Sequence, residues 1–352
     1  MSTTSSASSL ATINLEETIN AVLLSIERER EREVVSRRFG LFDRKETLEQ
    51  IGELLGITRE RVRQLEKAII SKLKSSASAG KLPALQEAQE IILEIVHTNG
   101  DIMRISQLAK LLTPEGTKID QSRIGFIAEL APNLISIEES DHFYAATGDR
   151  QKYDEKTVRE QTAKVVETIK KVIGEPATIE KVAEVYGSED TAHVAALASI
   201  SKHLAHLNDK WGYIKWPTVN PKNIRDKIYV ILSENGSHMH FNEIAASIRD
   251  SDFKRKDVTT QAIHNELIKD KRFVLIGRGI YALDEWGYKK GTVSDIIADV
   301  LKKAGEPLHR DEIVKRVLKT RHVKETTILL NLQGKDQFKR VAKATYTLAE
   351  VA

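Results

Sequence analysis

Residues 37–73 read RRFGLFDRKETLEQIGELLGITRERVRQLEKAIISKL, and this stretch predicts two helices joined by a tight turn. Thr47 is a favourable N-cap residue, and Gln50 three positions later completes a capping box. Gly56 supplies the left-handed residue that commonly ends a helix. Thr58 then caps a second helix. The stretch therefore predicts a helix-turn-helix, and the rest of the chain can be placed around it.

Apolar residues recur at helical spacing in this stretch and predict which side of each helix is buried. In the first helix these residues are Leu48, Ile51, Leu54 and Leu55, and in the second they are Val62, Leu65, Ile69 and Leu73. Ile57 fills the turn between the two helices. Each helix is thus expected to have one buried side, and the other side remains for solvent or a partner.

The opposite side of the second helix carries charged and amide side chains. Arg59, Arg63 and Lys67 lie four residues apart, with Glu60 and Gln64 in a parallel row. Arginine pairs with guanine, glutamine with adenine and glutamate with cytosine, whereas lysine neutralises phosphate. A helix with these side chains can enter the major groove of DNA with its first turn facing the bases. Periodicity alone is equally compatible with a solvated charged face on an ordinary helical hairpin.

Three sequence blocks follow one another at close spacing: REREVVSRRFGL at 30–41, TLEQIG at 47–52 and ITRERVRQLE at 57–66. Together they resemble region four of the sigma-70 family of bacterial RNA polymerase factors, over roughly residues 20–74. In that family the helix-turn-helix docks on the −35 promoter element and also contacts the polymerase flap. The resemblance implies a DNA-binding set of Arg59, Glu60, Arg61, Arg63, Gln64 and Lys67. It further implies that Arg59, Glu60 and Gln64 face bases while Arg63 and Lys67 approach the backbone.

The segments on either side of the helix-turn-helix give its expected limits. Residues 1–13 are rich in Ser, Thr and Ala and predict a disordered tail. Asn14 is a plausible N-cap, and one long helix is predicted from Asn14 to Ser36. Nothing in these residues resembles the −10-binding and core-binding regions of the sigma-70 family, so a complete initiation factor is not expected. Residues 75–80, SSASAG, predict a short flexible linker. The first domain is therefore predicted to span residues 14–78.

The composition is that of a folded chain without a strong overall charge. The 352 residues include 41% hydrophobic but only 5% aromatic residues, which favours several small cores. The net charge is +3, so any DNA affinity must come from local patches. There is no cysteine, which excludes disulfides and thiolate metal sites and suits a reducing cytosol. No secretory signal and no apolar run near the ~18 residues of a membrane span are found. A cytoplasmic location without membrane contact is therefore predicted.

Beyond the linker the chain repeats itself. Residues 224–244 align with residues 293–313, and RFVLIGRGIYAL at 272–283 aligns with QFKRVAKATYTL at 337–348. Two earlier units share parts of this pattern. Four modules of about 60–70 residues are therefore predicted. They span residues 84–150, 156–218, 222–286 and 291–352.

Each module follows the same order of elements. An amphipathic helix ends at a glycine, a short extended piece and two helices follow, and a β-hairpin closes the unit. Three helices with a two-stranded wing make a winged helix-turn-helix. The predicted fold class is therefore mainly α, a multi-domain string of one helix-turn-helix domain and four small winged-helix modules. In the first two modules, HFYA at 142–145 and WGYI at 211–214 are predicted to be the last strands.

The third and fourth modules share the helix, Gly and Glu-Ile helix pattern and the Phe and Tyr-x-Leu positions of the hairpin. They resemble the HARE-HTH family of winged helices, found in the delta subunit of bacterial RNA polymerase and in some chromatin and restriction proteins. Ala342-Lys343-Ala344 replaces the Gly277-Arg278-Gly279 turn in the fourth module, so a different wing tip is expected. The resemblance allows either protein binding or DNA binding by these modules.

Other candidate sites are weaker. Phosphate contacts are conceivable for Arg278 and for Lys254, Arg255 and Lys256 in the third module, and for Lys315, Arg316, Lys319, Arg321 and Lys324 in the fourth. The histidine spacings His238-x-His240 and His203-x-x-His206 do not match a zinc pattern, so no metal site is predicted. No phosphate-binding glycine loop and no nucleophile–base pair can be identified. The chain is therefore not expected to be an enzyme or to need a cofactor.

Two functions of different kinds follow from the sequence. The first is a transcription factor that reads promoter elements in double-stranded DNA through the second helix. The second is an RNA polymerase adaptor, in which the helix-turn-helix sits on core polymerase and the modules bind its subunits. Recognition of modified DNA by the HARE-type modules is a third possibility. The sequence does not indicate the oligomeric state.

Overall fold

The computed structural model describes residues 13–288 and 290–349, and these form two compact units. The first unit ends at Lys215 and the second begins at Trp216. The described part is mainly helical with small antiparallel sheets, which confirms the predicted fold class. The predicted tail lies outside the described residues except for Ile13. No helix in the described ranges combines the length and apolarity needed to span a membrane.

The first unit begins with four helices. They are α1 (Leu15–Leu24), α2 (Glu29–Phe39), α3 (Leu48–Leu55) and α4 (Arg59–Ser78). The first winged-helix module follows with α5 (Pro83–Thr98), β1 (Ile102–Arg104), α6 (Ile105–Leu112), α7 (Lys118–Leu130), β2 (Leu134–Ile137) and β3 (Ala146–Asp149). The second module contains α8 (Glu155–Glu167), a π-helical turn (Thr168–Ile173), α9 (Ile179–Tyr186), α10 (Thr191–Ile200), β4 (Leu204–Leu207) and β5 (Lys210–Tyr213).

The prediction of one long helix from Asn14 to Ser36 is wrong, because the chain breaks between α1 and α2. The Ser25 hydroxyl donates to the Val22 carbonyl at 2.6 Å and so competes with the next helical hydrogen bond. Ile26 is buried, and Arg28 has an extended backbone (φ −89°, ψ 123°). The break lets α1 leave the helix-turn-helix and pack against the first module instead.

The predicted flexible linker at residues 75–80 is also largely helical. α4 continues for 20 residues to Ser78, because Leu73 is buried and partly buried Ala77 packs on the same core. Tertiary packing has overridden the weak helix propensity of the serines here. The result is a stiff connection between the helix-turn-helix and the first module.

One hydrophobic core joins α1, α2 and α4 to the first module. Leu15, Ile19 and Val22 of α1 belong to the same cluster of buried residues as Ile92 of α5 and Phe126 of α7. The sheet of this module has the strand order β1-β3-β2, with both neighbours of β3 antiparallel to it. The core therefore crosses the expected boundary between the two domains.

The predicted last strand of the first module is misplaced by a few residues. β3 begins at Ala146, and residues 142–144 instead bond to the second module. The Tyr144 amide donates to the Ile200 carbonyl at 2.9 Å, and the Lys202 amide donates to the His142 carbonyl at 2.8 Å. The predicted last strand of the second module at 211–214 agrees with β5 to within one residue.

The second unit contains two modules built alike. The third module has α11 (Ile224–Asn235), β6 (Met239–His240), α12 (Phe241–Asp250), α13 (Thr260–Lys269), β7 (Phe273–Gly277) and β8 (Ile280–Leu283), followed by a 3-10 turn (Asp284–Trp286). The fourth has α14 (Val293–Ala304), β9 (Leu308–His309), α15 (Arg310–Leu318), α16 (Glu325–Gly334), β10 (Phe338–Ala342) and β11 (Thr345–Leu348). Their sheets have equivalent orders, β6-β8-β7 and β9-β11-β10.

The internal repeat found in the sequence is reproduced residue by residue in the two hairpins. Phe273 pairs with Leu283, and at the aligned positions Phe338 pairs with Leu348. Gly279 has φ +71° at the wing tip, and Ala344 has φ +56° at the aligned position. The replacement of the Gly-Arg-Gly turn therefore changes the residue but keeps the left-handed conformation, which costs energy with alanine.

Candidate nucleic-acid interface

The helix-turn-helix is held by the capping residues that the sequence indicates. The Thr47 amide donates to the Gln50 side chain at 2.9 Å, and the Gln50 amide donates to the Thr47 hydroxyl at 3.3 Å. Gly56 ends α3 with φ +63°, and the Thr58 hydroxyl accepts from the Arg61 amide at 3.2 Å. The first turn of α4 is therefore fixed at its start, which is the part that a recognition helix presents to bases.

A small core beneath the turn sets the angle between α3 and α4. Val34, Ile51 and Val62 are fully buried there, with Leu48, Leu55, Ile57 and Leu65 packed around them. A Cβ on Gly52 would meet the Ile57 carbonyl oxygen at 2.7 Å, so the turn closes against bare helix backbone. Leu54 was predicted to be buried but is 55% exposed, because the short α3 contacts its neighbours on one side only.

Three arginines of α2 hold the helix-turn-helix together, and sequence reasoning did not assign them this role. Arg37 bonds to Glu46 at 2.9 Å just before α3, and Arg38 bonds to Glu66 on α4 at 3.2 Å. Arg30 donates to the Leu55 carbonyl at the end of α3. The block at residues 30–41 that resembles the sigma-70 family contains these three arginines. Only the fold shows that their partners lie within the same domain.

The six predicted DNA-binding residues all lie on α4 with exposed side chains. They are Arg59, Glu60, Arg61, Arg63, Gln64 and Lys67. They occupy the first two and a half turns of α4, outside the buried stripe of Val62, Ile69 and Leu73. The fold thus brings the predicted set together on one accessible surface, which we call the reading face.

Most members of the reading face are paired with other side chains of the same domain. Arg59 bonds to Glu49 of α3 at 2.9 Å, and Arg63 makes a two-pronged contact with Glu60 at 2.9 and 2.7 Å. The Arg63 guanidinium lowers the pKa of Glu60, and the Glu60 carboxylate raises the pKa of Arg63. Exposed pairs of this kind contribute little to stability, so bases or phosphates can replace them at little cost.

Beside the reading face lies a groove of about 1030 Å³ between α4 and the first module. Arg63 and Lys67 line one wall of this groove, and the opposite wall includes Glu129 and Glu138. Lys74, which also lines the groove, forms an ion pair with Glu129. Carboxylates repel phosphate, so a DNA strand contacting Arg63 and Lys67 is disfavoured from entering the groove itself.

In a winged helix, the third helix is the one that corresponds to α4. In the first and second modules these third helices are α7 and α10, and both are buried. α7 contributes Ile124, Phe126 and Ile127 to the shared core. Its Arg123 is 9% exposed and donates to the Leu41 carbonyl at 2.9 Å and to Glu16 at 2.8 Å. α10 is apolar along most of its length and is buried between α8, α9 and β1. Neither helix presents a charged surface for DNA.

Several cationic candidates in the second unit are engaged within the protein. The Lys256 ammonium donates to the Ser251 carbonyl at 3.0 Å. Only the backbone carbonyls of Lys254 and Arg255 are engaged, as acceptors from buried Lys227, and their side chains are exposed. Arg321 is half-buried and donates to the Leu275 carbonyl at 2.8 Å. Arg316 pairs with Glu312 at 2.6 Å. Arg278, Lys315, Lys319 and Lys324 are exposed.

The histidine spacings noted in the sequence serve contacts between modules. The Nδ1 atom of His142 lies 2.8 Å from Nε2 of His203, where the first and second modules meet. The ring of His238 lies 4.4 Å from that of His322, where the third and fourth meet. Among the described residues no group of three or more His, Cys, Asp or Glu side chains could hold a metal ion.

Comparison with known proteins gives a match for the helix-turn-helix segment. Residues 28–75 match the family described as Sigma-70, region 4. The RNA polymerase sigma factor RpoD of Helicobacter pylori is 55% identical over 49 residues, which are 13% of this chain and 7% of that protein. The RNA polymerase sigma factor sigB of Arabidopsis thaliana is 44% identical over 61 residues, 17% of this chain and 11% of that protein. A sigma-70 region 4 domain is thus present at residues 28–75.

These matches to sigma factors cover a small part of this chain and of each relative. RNA polymerase sigma factor SigA of Bacillus sp is 46% identical over 55 residues, which are 15% of both chains. The chain therefore spans about a seventh or less of these curated relatives. A solved structure of the bacterial selenocysteine-specific elongation factor EF-Sec aligns with 63% of this chain and 33% of its own at 15% identity. Its TM-score of 0.21 is too low to indicate a shared fold.

Proposed function

We propose that the protein is a cytoplasmic, non-enzymatic transcription factor that reads promoter elements of the −35 type in double-stranded DNA. The observation that carries this proposal is the reading face, six polar side chains on the fixed first turns of α4. The region 4 match at the same residues supports a DNA-binding role in transcription. In this proposal Arg59, Glu60 and Gln64 contact bases, while Arg63 and Lys67 contact the backbone.

Exchange of partners explains how a paired reading face can still select a sequence. Arg59 leaves Glu49 and Arg63 leaves Glu60 when guanine or phosphate takes the place of the carboxylate. Glu60 is then available as an acceptor for the amino group of cytosine, and its lowered pKa keeps it ionised. A wrong base leaves one of these charged groups without a partner in the interface. Selectivity therefore comes from both the matched and the unmatched contacts.

The test is the ratio of affinities for selected and random duplexes. A duplex library first yields the preferred sequence of the full chain. We expect Arg59→Ala to lower this ratio. The free-energy difference between binding selected and random duplexes should fall by about 1–3 kcal/mol, the value of one two-pronged arginine–guanine contact. Lys67→Ala should weaken all duplexes alike and lower the slope of log K against log salt by about one.

Arg249→Ala is a matched control, because Arg249 is exposed on α12 and is outside the reading face. It should change neither the ratio nor the salt slope. An Arg59→Ala protein that keeps the wild-type ratio for selected over random DNA would refute base reading by α4.

A second candidate function is an RNA polymerase adaptor that modulates transcription without reading DNA. Two observations favour it. Most side chains of the reading face are already paired within the protein, and the adjoining groove has Glu129 and Glu138 on its far wall. Core polymerase is the proposed partner, with the region 4 domain and the winged modules as contact surfaces. Purified protein that co-elutes with core polymerase but binds no duplex in a salt-dependent way would support the adaptor alone.

A further inference from the structure

The outer faces of the two repeated wings differ in a way that the shared fold does not require. In the third module the outer face of the sheet consists of Val274, Ile276 and Ala282, which are 1%, 0% and 0% exposed. They form a separate small core, against which Ile280, Trp286 and Tyr288 pack. The outer face of this wing is therefore a buried apolar surface.

The fourth module also covers the third module's wing. The His322 amide donates to the Ile276 carbonyl at 3.1 Å, and Arg321 reaches the Leu275 carbonyl. A Cβ on Gly277 would meet the His322 carbonyl oxygen at 2.8 Å. The segment between α15 and α16 thus lies directly against the edge of β7. Each of these contacts leaves the third module's wing unavailable to an external partner.

The corresponding surface of the fourth module is open and carries different side chains. Lys339 pairs with Thr347 at the positions where Val274 pairs with Ala282. Val341, aligned with buried Ile276, is 48% exposed. All residues of β10 after Phe338 are exposed. Within the described residues no element covers this part of the hairpin β10–β11 on either side after Phe338, and we call Lys339–Lys343 the open wing.

The open wing is strongly cationic. Lys339, Arg340 and Lys343 lie within five residues of one another, all exposed. None of them forms an ion pair within the described residues, and Arg340 donates only to the Ala342 carbonyl at 3.1 Å. Other cations of this module pair with carboxylates and are thereby neutralised, as Arg316 is by Glu312. The wing therefore offers unpaired cations beside a single apolar side chain, Val341.

We propose that the open wing binds the sugar-phosphate backbone of duplex DNA. Unpaired lysine and arginine on a narrow hairpin match a regularly spaced polyanion, because each phosphate contact releases condensed counterions. A protein partner would be expected to need a larger apolar centre than Val341 supplies. The interaction is independent of sequence and rests on the proposed function only for its choice of duplex DNA as the partner. It adds affinity outside the element read by α4.

The test uses the full chain and a random-sequence duplex, so that base reading by α4 contributes nothing to the result. The variant is Lys339→Gln/Arg340→Gln/Lys343→Gln. Its matched control, Lys302→Gln/Lys303→Gln/Lys335→Gln, removes three exposed cations of the same module that lie outside the open wing. The dissociation constant is measured at a series of salt concentrations, and both variants are checked by thermal melting.

We expect the wing variant to lower the salt slope by about 0.9 for each phosphate that the wing no longer neutralises, and the control to keep the wild-type slope. Equal slopes for the two variants would overturn the proposal. A wing variant that binds DNA normally but fails to co-elute with core polymerase would also overturn it and would identify a protein partner. If Arg59→Ala leaves specificity unchanged while the wing variant lowers the slope, only the proposed promoter reading fails.

Discussion

The α4 helix of the helix-turn-helix and the α7 helix of the first module occupy equivalent places in their domains, but the fold uses them differently. α4 buries a narrow stripe and presents arginine, glutamate and glutamine to solvent. α7 is buried along its apolar residues, and even its Arg123 is enclosed by Leu41 and Glu16. A helix in the third position of such a domain is therefore not automatically a recognition helix. Whether such a helix can contact DNA depends on the charged side chains that it exposes to solvent.

The largest expected effect tests whether α7 is core rather than interface. Phe126 is 1% exposed, and its ring lies 4.8 Å from that of Phe39. Phe126→Ala should lower the free energy of unfolding by about 3–5 kcal/mol, because it leaves a cavity in the shared core. Native-state hydrogen exchange of α7 and α1 measures this change.

Leu330→Ala on α16 is the control for Phe126→Ala, because Leu330 is 69% exposed. It should change stability by no more than about 0.5 kcal/mol. Unchanged exchange in Phe126→Ala combined with weaker DNA binding would contradict the assignment of α7 to the core.

The second prediction concerns the turn that presents α4. Gly52→Ala places a Cβ 2.7 Å from the Ile57 carbonyl oxygen, where backbone must move. We expect a loss of about 1–3 kcal/mol in stability and weaker binding to every duplex. Thermal melting and duplex titration measure the two effects. Gly334→Ala is the control, because a Cβ at Gly334 meets no atom within 4 Å. A Gly52→Ala protein as stable as this control would show that the turn is looser than described.

The third prediction exchanges the turn residues of the two repeated wings. Ala344 has φ +56°, so Ala344→Gly should relieve strain and stabilise the fourth module by about 0.5–1 kcal/mol. Gly279→Ala should have the opposite sign, because φ is +71° and the new Cβ would lie 2.6 Å from Nε2 of His240. Differential scanning calorimetry of both variants measures these shifts. A destabilising Ala344→Gly would mean that the two wing tips are not equivalent.

The smallest expected effect is a pH dependence where the first two modules meet. Burial lowers the pKa of His203, and nearby His142, Lys170 and Lys215 lower it further. The unfolded chain therefore binds a proton near pH 6.5 while the folded chain does not. Stability is fully present above pH 6.5 and is lost as the pH falls through the lowered pKa of His203. The midpoint of urea unfolding, followed from pH 7.5 to 5, measures the decrease.

His203→Gln should remove part of this pH dependence, and His206→Gln on the neighbouring strand β4 should keep it. Identical curves for wild type and His203→Gln would exclude this histidine as the source. The same direction is expected at the meeting of the third and fourth modules, because burial and then His322 lower the pKa of His238.

Local signals in the sequence were sufficient to predict the elements that depend on neighbouring residues. The Thr47–Gln50 capping box, the Gly56 turn and the paired hairpins of the second unit all follow from short-range chemistry. The break after α1 could not be predicted in this way, because α1 separates from α2 to bury its apolar side on α5 and α7. Arg123 and Phe126 of α7 likewise become internal through contacts with residues far earlier in the chain.

The sequence was sufficient to predict which residues form the reading face, but not which partners their side chains have in the free protein. Spacing placed Arg59, Arg63 and Lys67 on one side of α4, and the fold places them there. Their partners in the free protein, Glu49 for Arg59 and Glu60 for Arg63, depend on side-chain rotamers and on the packing of α3 against α4. Periodicity carries no information about either.

Residues of α1, α4 and the first module share one continuous core, which fixes the side of the helix-turn-helix on which the first module lies. Because Arg123 ties α7 to Leu41 and Glu16, the first module cannot turn freely about the helix-turn-helix. A DNA element read by α4 in one orientation would always find the first module on the same flank. An inverted copy of that element would place it on the other flank. The protein would then distinguish upstream from downstream even where the base sequence that it reads is short.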